Sequence, residues 1–258
     1  MRSLENNTEV RRTSLVSYVL ERGYVSVQDL SDHFNVSKVT IRGDLTALEE
    51  AGAIKRQHGG ATIPKDDLPG TIAFQARARI DQEQKQRIGD LAATLVHDGD
   101  SIMIDSSTTG LYLARALKNK KDLKVVTNGI NTSLELLKSS HSVIMVGGMI
   151  NDRTYGTVGR LGRNTLSEIR IGKAFLGAKG VSIRDGLTDT NLLEVELKQA
   201  VIEVSSQLIA IVDSSKFSTM GISSFAPIEK VSIIVTDSGV PMVEKAKFED
   251  LGIQVLVA

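Results

Sequence analysis

Between residues 101 and 257 the chain repeats one pattern: a short, nearly unbroken apolar run, then a longer polar stretch with helical spacing. The runs are Ser101–Ile104, Lys124–Thr127, Val143–Val146, Ala174–Leu176, Leu208–Val212, Val231–Val235 and Ile253–Val257. Strands that are apolar on both faces must be covered on both faces. Strands alternating with helices therefore predict a mostly parallel sheet between two helical layers. A helix over Gln82 to Val96 leads into the first run, and another around Leu111–Leu117 follows it.

Residues 1–62 follow a different rule. Val10, Leu15, Val16, Val19 and Leu20 fall at helical spacing and Gly23 closes that helix. Ser26 with Asp29 opens a second helix carrying Val27, Leu30 and Phe34. Asn35-Val36 turns the chain, and Ser37 caps a third helix with Ile41, Leu45 and Leu48 inward and Gly52 at its end. Two extended runs around Gly59-Gly60 predict a hairpin, the wing of a winged helix-turn-helix. Residues 63–80, with Pro64 and Pro69, read as a linker, and residues 81–258 as the α/β domain.

Composition narrows the function classes. With no cysteine, the chain has no disulfide, thiolate nucleophile or cysteine zinc site, and no metal or cofactor is expected. No apolar run is long enough for a membrane span and the first residues carry no signal-like stretch, so the expected location is the cytoplasm. Lysine plus arginine and aspartate plus glutamate both number 31, so a nucleic-acid footprint must come from the placement of charges, not from their excess.

Two constellations carry the functional reading. On the third helix, Val39, Arg42, Gly43 and Thr46 lie opposite the apolar stripe, with Lys38 and Thr40 at its start. A guanidinium, hydroxyls and an aliphatic group suit base edges and thymine methyls, while Ser26 and Ser37 at helix starts suit phosphates. Arg56 and His58 on the wing are placed to reach a flanking groove. The same spacing also fits a plain three-helix bundle with a solvated face.

The second constellation is Asp105, Ser106, Ser107, Thr108 and Thr109, lying between a buried strand and a helix. Hydroxyls and a helix N-terminus at the carboxyl end of a parallel strand favour an anion such as phosphate. An ordinary serine-rich turn fits the same residues. Asn128, Gly147 with Gly148, and Asp213 to Lys216 end other strands at what is expected to be the same edge. Asp189, Glu194 and Lys198 surround a helix start; Glu194 and Lys198 at i,i+4 also fit a simple surface ion pair, the more so for Lys198.

Taken together, Gly23 to Leu30, Asn35 to Leu45, Arg56-Gln57-His58-Gly59-Gly60-Ala61, Asp105 to Thr109, Thr127-Asn128-Gly129, Val146-Gly147-Gly148 and Asp213 to Phe217 resemble the DeoR family of sugar-metabolism repressors. The resemblance implies a sensor domain similar in fold to ribose-5-phosphate isomerase and glucosamine-6-phosphate deaminase. It also implies a phosphorylated sugar that releases the repressor from double-stranded operator DNA, with Asp105, Asn128, Glu194 and Lys216 lining the sugar site. Paired half-sites imply a homo-oligomer, a dimer or a multiple of it. One departure stands out: two consecutive arginines are usual on the family's recognition helix, and here the pair is Arg42-Gly43. A sugar-phosphate isomerase-like enzyme with an appended DNA reader is the alternative, and an oligomerisation-only second domain is a weaker one. Related deaminases place a histidine beside an active-site Asp-Gly; here Asp185-Gly186 is followed by Leu187, so that histidine is missing and no catalytic residue is assigned, while acid–base work by Asp105, Asp189 or Glu194 stays open under the isomerase alternative.

Overall fold

The computed structural model describes residues 8–57, 59–62 and 70–258, which divide into a smaller unit, mainly residues up to Gln82, and a larger one, mainly from Glu83 onward. Helix α1 (Thr8–Arg22) begins the smaller unit, followed by β1 (Tyr24–Ser26), α2 (Val27–Phe34) and α3 (Lys38–Glu50). Then come β2 (Lys55–Gln57), β3 (Gly60–Thr62) and α4 (Gly70–Arg79). Ser26 and Ser37 cap α2 and α3, accepting from the amides of Asp29 and Thr40. Asn35 turns between the helices in the left-handed conformation, with φ 50°. Leu15, Val16, Val19, Leu30, Ile41 and Leu45 form the core of this unit.

Two features of the smaller unit escaped the sequence reading. Strand β1 pairs with β3, so the wing is a three-stranded sheet ordered β1-β3-β2, not a lone hairpin. Residues 70–79, read as part of a linker, form α4, which packs on α1 and buries Ala76 in the same core. The proline-bearing stretch 63–69 and His58 lie outside the described residues.

The larger unit runs α5 (Gln82–Thr94), β4 (Ser101–Ile104), α6 (Thr108–Ala116), β5 (Lys124–Thr127), α7 (Ile130–Leu136) and β6 (Ser142–Met145). A hairpin, β7 (Met149–Asn151) and β8 (Gly156–Val158), leads to α8 (Arg160–Ser167) and β9 (Ile171–Leu176). Next are β10 (Gly180–Ser182), β11 (Gly186–Asp189), α9 (Leu192–Glu203), β12 (Ser205–Ile211) and β13 (Ser223–Ala226). Strand β14 (Val231–Thr236), α10 (Met242–Asp250) and β15 (Gln254–Val257) complete it.

All seven apolar runs enter one sheet, ordered β15-β14-β12-β9-β4-β5-β6, and every pairing in it is parallel. Two hydrophobic clusters flank it, one around Leu176, Leu197 and Phe248, the other around Ile88, Ile102 and Phe175. The chain builds outward from β4 through β5 to β6, then returns to β9 and builds the other way. The reversal falls between β4 and β9. In open parallel sheets, that is where the loops after the strands diverge and leave a crevice. The short strands β7, β8, β10, β11 and β13 form antiparallel accessories that the sequence reading did not place. Among the described residues, no helix is long and apolar enough to cross a membrane.

Candidate functional site: a DNA-reading helix and a strand-end crevice

Helix α3 is anchored from beneath. Ile41, Leu45 and Leu48 are buried, and so is Asp44, whose carboxylate accepts from Arg11 Nε at 2.6 Å and Arg12 Nε at 2.9 Å. This pair from α1 fixes the rotation of α3, which leaves Lys38, Val39, Arg42, Gly43 and Thr46 exposed and Thr40 partly so. A Cβ added to Gly43 meets nothing within 4 Å. The wing is tied to the same helix: Arg56 N donates to Glu49 Oε1 at 2.8 Å, and Arg56 Nη1 to Thr46 Oγ1 at 3.0 Å. Lys38, Arg42 and Arg56 surround a concave face of ≈ 340 Å³ with Gln28 and Gln57. Three cations and two amides around one hollow can hold a phosphate backbone while offering amides to base edges.

In the larger unit the sequence-predicted residues gather around the β4/β9 reversal. Asp105 follows β4 and is 1% exposed. Its Oδ2 accepts from Gly177 N, just beyond β9, at 2.9 Å, and its Oδ1 from Ser107 N at 3.1 Å. Ser107 is the N-cap of α6, accepting from Gly110 N at 3.0 Å. The Thr108 and Thr109 amides open the helix and have no partner within it. Their positive end of the helix dipole lies next to the half-buried Ser107 and Thr108 side chains. Ser106 is buried: a Cβ on Gly156 would lie 2.5 Å from its hydroxyl, so only glycine admits that approach.

Asn128 ends β5 and is buried. Its Nδ2 donates to Thr157 O at 3.0 Å and lies 3.5 Å from Ser106 Oγ. The carbonyl at Thr157 fixes the amide's orientation, since a flipped side chain would oppose two oxygens. Asn128 Oδ1 is buried with no hydrogen-bond partner among the described residues. A buried acceptor of this kind costs free energy until a donor meets it.

Lys198 corrects the sequence reading. It is not a surface partner of Glu194 but is 8% exposed, with Nζ 2.7 Å from Asp189 Oδ2 and 3.4 Å from Asp105 Oδ2. It also donates to Gly177 O at 2.8 Å and lies 4.7 Å from the centre of the Phe225 ring. Burial works to lower its pKa, but the charges of Asp189, Asp105 and Glu194 outweigh that and push it above the ordinary lysine value. Burial likewise works against ionised Asp189, and Lys198 more than offsets it, holding the carboxyl below its usual range. Glu194, in the first turn of α9 beyond the Asn191 cap, accepts from Asn151 Nδ2 at 2.8 Å. Gly177, Asn151, Thr157 and Phe225 were also missed. Gly177 was the one with a signal, since it ends a predicted strand.

Lys216 pairs with Asp213 Oδ2 at 3.3 Å and donates to Ser215 Oγ at 2.9 Å, beyond the end of β12. Gly148, with φ 149°, is explained by packing: a Cβ there would lie 2.5 Å from Val158 O. Gly147 beside it is exposed.

Residues 11–67 match the family model of the DeoR-like helix-turn-helix domain, and residues 80–238 that of the DeoR C-terminal sensor domain. The chain belongs to the DeoR family. Across 96% of its length it is 34% identical to the HTH-type transcriptional regulator GolR of Listeria innocua, covering 98% of that protein. It is 33% identical to the glycerol-3-phosphate regulon repressor of Escherichia coli over 90% of this chain and 92% of that one. Among solved structures, ribose 5-phosphate isomerase A of Neisseria gonorrhoeae aligns at 18% identity and a TM-score of 0.39, over 54% of this chain and 53% of that chain. This DeoR-family chain is thus a helix-turn-helix transcriptional regulator with an α/β sensor domain.

Proposed function

We propose that this regulator represses a sugar-catabolism operon and leaves its operator when a phosphorylated sugar enters the crevice at the β4/β9 reversal. One observation carries the reading: a helix N-terminus flanked by hydroxyls stands beside buried carboxylates and the unpartnered Asn128 Oδ1. The first turn of α6 suits a phosphate dianion. Asp105, Asp189 and Glu194 suit the donated hydrogen bonds of sugar hydroxyls, and Asn128 Oδ1 suits one hydroxyl more. The named regulon of the Escherichia coli relative, that of glycerol 3-phosphate, supports a small phosphorylated polyol or sugar as effector.

Binding without turnover fits the electrostatics. Lys198 is held protonated and Asp189 ionised, so neither is poised to exchange a proton near neutral pH. On this reading the domain senses its ligand and does not convert it. The protein acts as a dimer or a multiple of one in the cytoplasm, with two helix-turn-helices on paired half-sites.

The test is calorimetric titration of the full chain with one sugar in phosphorylated and free forms, followed by an isomerisation assay on the same pair. Binding that depends on the phosphate, with no turnover near the roughly 1–1000 per second of ordinary enzymes, supports the reading. Equal binding of both forms removes the phosphate from the α6 turn, and ordinary turnover makes the domain an enzyme.

A further inference from the structure

Strand β6 ends the seven-stranded sheet, pairing with β5 on one side and with no strand on the other among the described residues. Ser142 N and Val146 N donate inward, to Leu123 O and Thr127 O. Backbone groups alternate sides along a strand, so the amides and carbonyls of Val143 and Met145 face the open edge. Natural edges are blunted by charged side chains, proline or bulges. This one has none of them. Residues 139–150 contain no Asp, Glu, Lys, Arg or Pro, although a quarter of the chain is charged. Ile144 is 40% exposed and Met145 36%, and around them in the chain Leu134 on α7, Leu137 just after it, and Met149 and Ile150 on β7 are exposed as well.

We infer that the β6 edge is where a second copy of this chain docks, its β6 antiparallel to the first across a two-fold axis. The self-pairing follows from the edge itself. A two-fold axis brings Val143 and Met145 of one copy against the same residues of the other, each offering both a donor and an acceptor. Like-charge opposition, the usual bar to such pairing, is missing because the strand carries no formal charge. Ile144 then faces Ile144 of the other copy and Met145 faces its Val143, so the exposed Ile144 and Met145 side chains leave water.

The experiment uses the full chain without DNA or sugar, so its outcome is separate from the proposed effector. Sedimentation velocity across micromolar concentrations is compared for the wild type and the double variant Ile144→Lys/Met145→Lys. Hydrogen exchange is followed at Val143 and Met145. The wild type is expected to be dimeric with both amides protected. The variant is expected to dimerise at least a hundredfold more weakly and to lose that protection, while its thermal unfolding matches the wild type. Val143→Thr/Met145→Thr, which keeps the backbone pairing and adds no charge, is expected to remain dimeric. A wild type whose Val143 and Met145 amides exchange freely, or a dimer unmoved by the two lysines, overturns the assignment. So does a wild-type monomer, whether or not it binds a half-site.

Discussion

Lys198 makes the sensor's polar centre a single electrostatic unit, because one ammonium faces Asp105 and Asp189 directly and feels Glu194 as well. The signs set its pH behaviour. Asp189 is depressed, so its contribution to stability is present above its ordinary 3.8 and lost as pH falls through the lowered value. Lys198 is raised, so its contribution is present below its ordinary 10.5 and lost as pH rises through the folded value. Between those limits the pair gives a flat stability profile. Replacing Lys198 by Met leaves the two buried carboxylates without their cation, at an expected cost of roughly 3–5 kcal/mol at pH 7. Chemical denaturation of this variant at pH 7 and pH 5 should show stability partly regained on acidification, as a carboxyl takes up a proton. A variant that stays as stable as the wild type at pH 7 would mean the ammonium is not what holds that cluster.

At the scale of elements, α3 and α6 carry the two halves of the proposed function, each positioned by a capping serine and a buried carboxylate. The Arg11–Asp44–Arg12 contact aims α3, and Arg42→Ala should weaken specific DNA binding by roughly 1–3 kcal/mol if that side chain reads a base. Gly43→Arg has open space around it and should raise affinity, steepening the salt dependence by about one unit of slope for a new phosphate contact. Mobility shifts at several salt concentrations check both, and a flat response at position 43 would turn that face away from the duplex. How far these elements were legible follows from their physics. The seven strands were readable because burial on two faces forces continuous apolar runs. The starts of α2 and α3 were readable because Ser26 and Ser37 cap locally, whereas the Ser107 cap that starts α6 at Thr108 was not read as one. Strand β1 and the accessory strands are three or four residues long and draw their stability from tertiary pairing, so they leave no period to read. Helix α4 was hidden by its neighbouring prolines, and Lys198 by an i,i+4 spacing that describes a surface pair equally well. Nothing in the sequence marks α9 as turning Lys198 inward; that follows from the packing of α9 beneath β9 and β13.

At the scale of the molecule, a reading unit and a sensing unit share one chain, and the proposed ligand site lies at the sheet's order reversal. Repression follows if the ligand-free state holds the helix-turn-helices in operator register. An effector that binds another arrangement more tightly then shifts the population by no more than its difference in affinity for the two. The α6 turn is the proposed source of that difference. Ser107→Ala/Thr108→Ala should therefore abolish release while sparing operator affinity, with about 1 kcal/mol of stability lost at the Ser107 cap. The most direct measurement is fluorescence anisotropy of a labelled operator, selected from genomic DNA by the protein itself, titrated with a sugar in its phosphorylated and free forms. The account predicts that the phosphorylated form alone displaces the wild type and that the Ser107→Ala/Thr108→Ala protein stays bound at the same concentrations. Equal displacement by the free sugar, or undiminished release of the double variant, would contradict it.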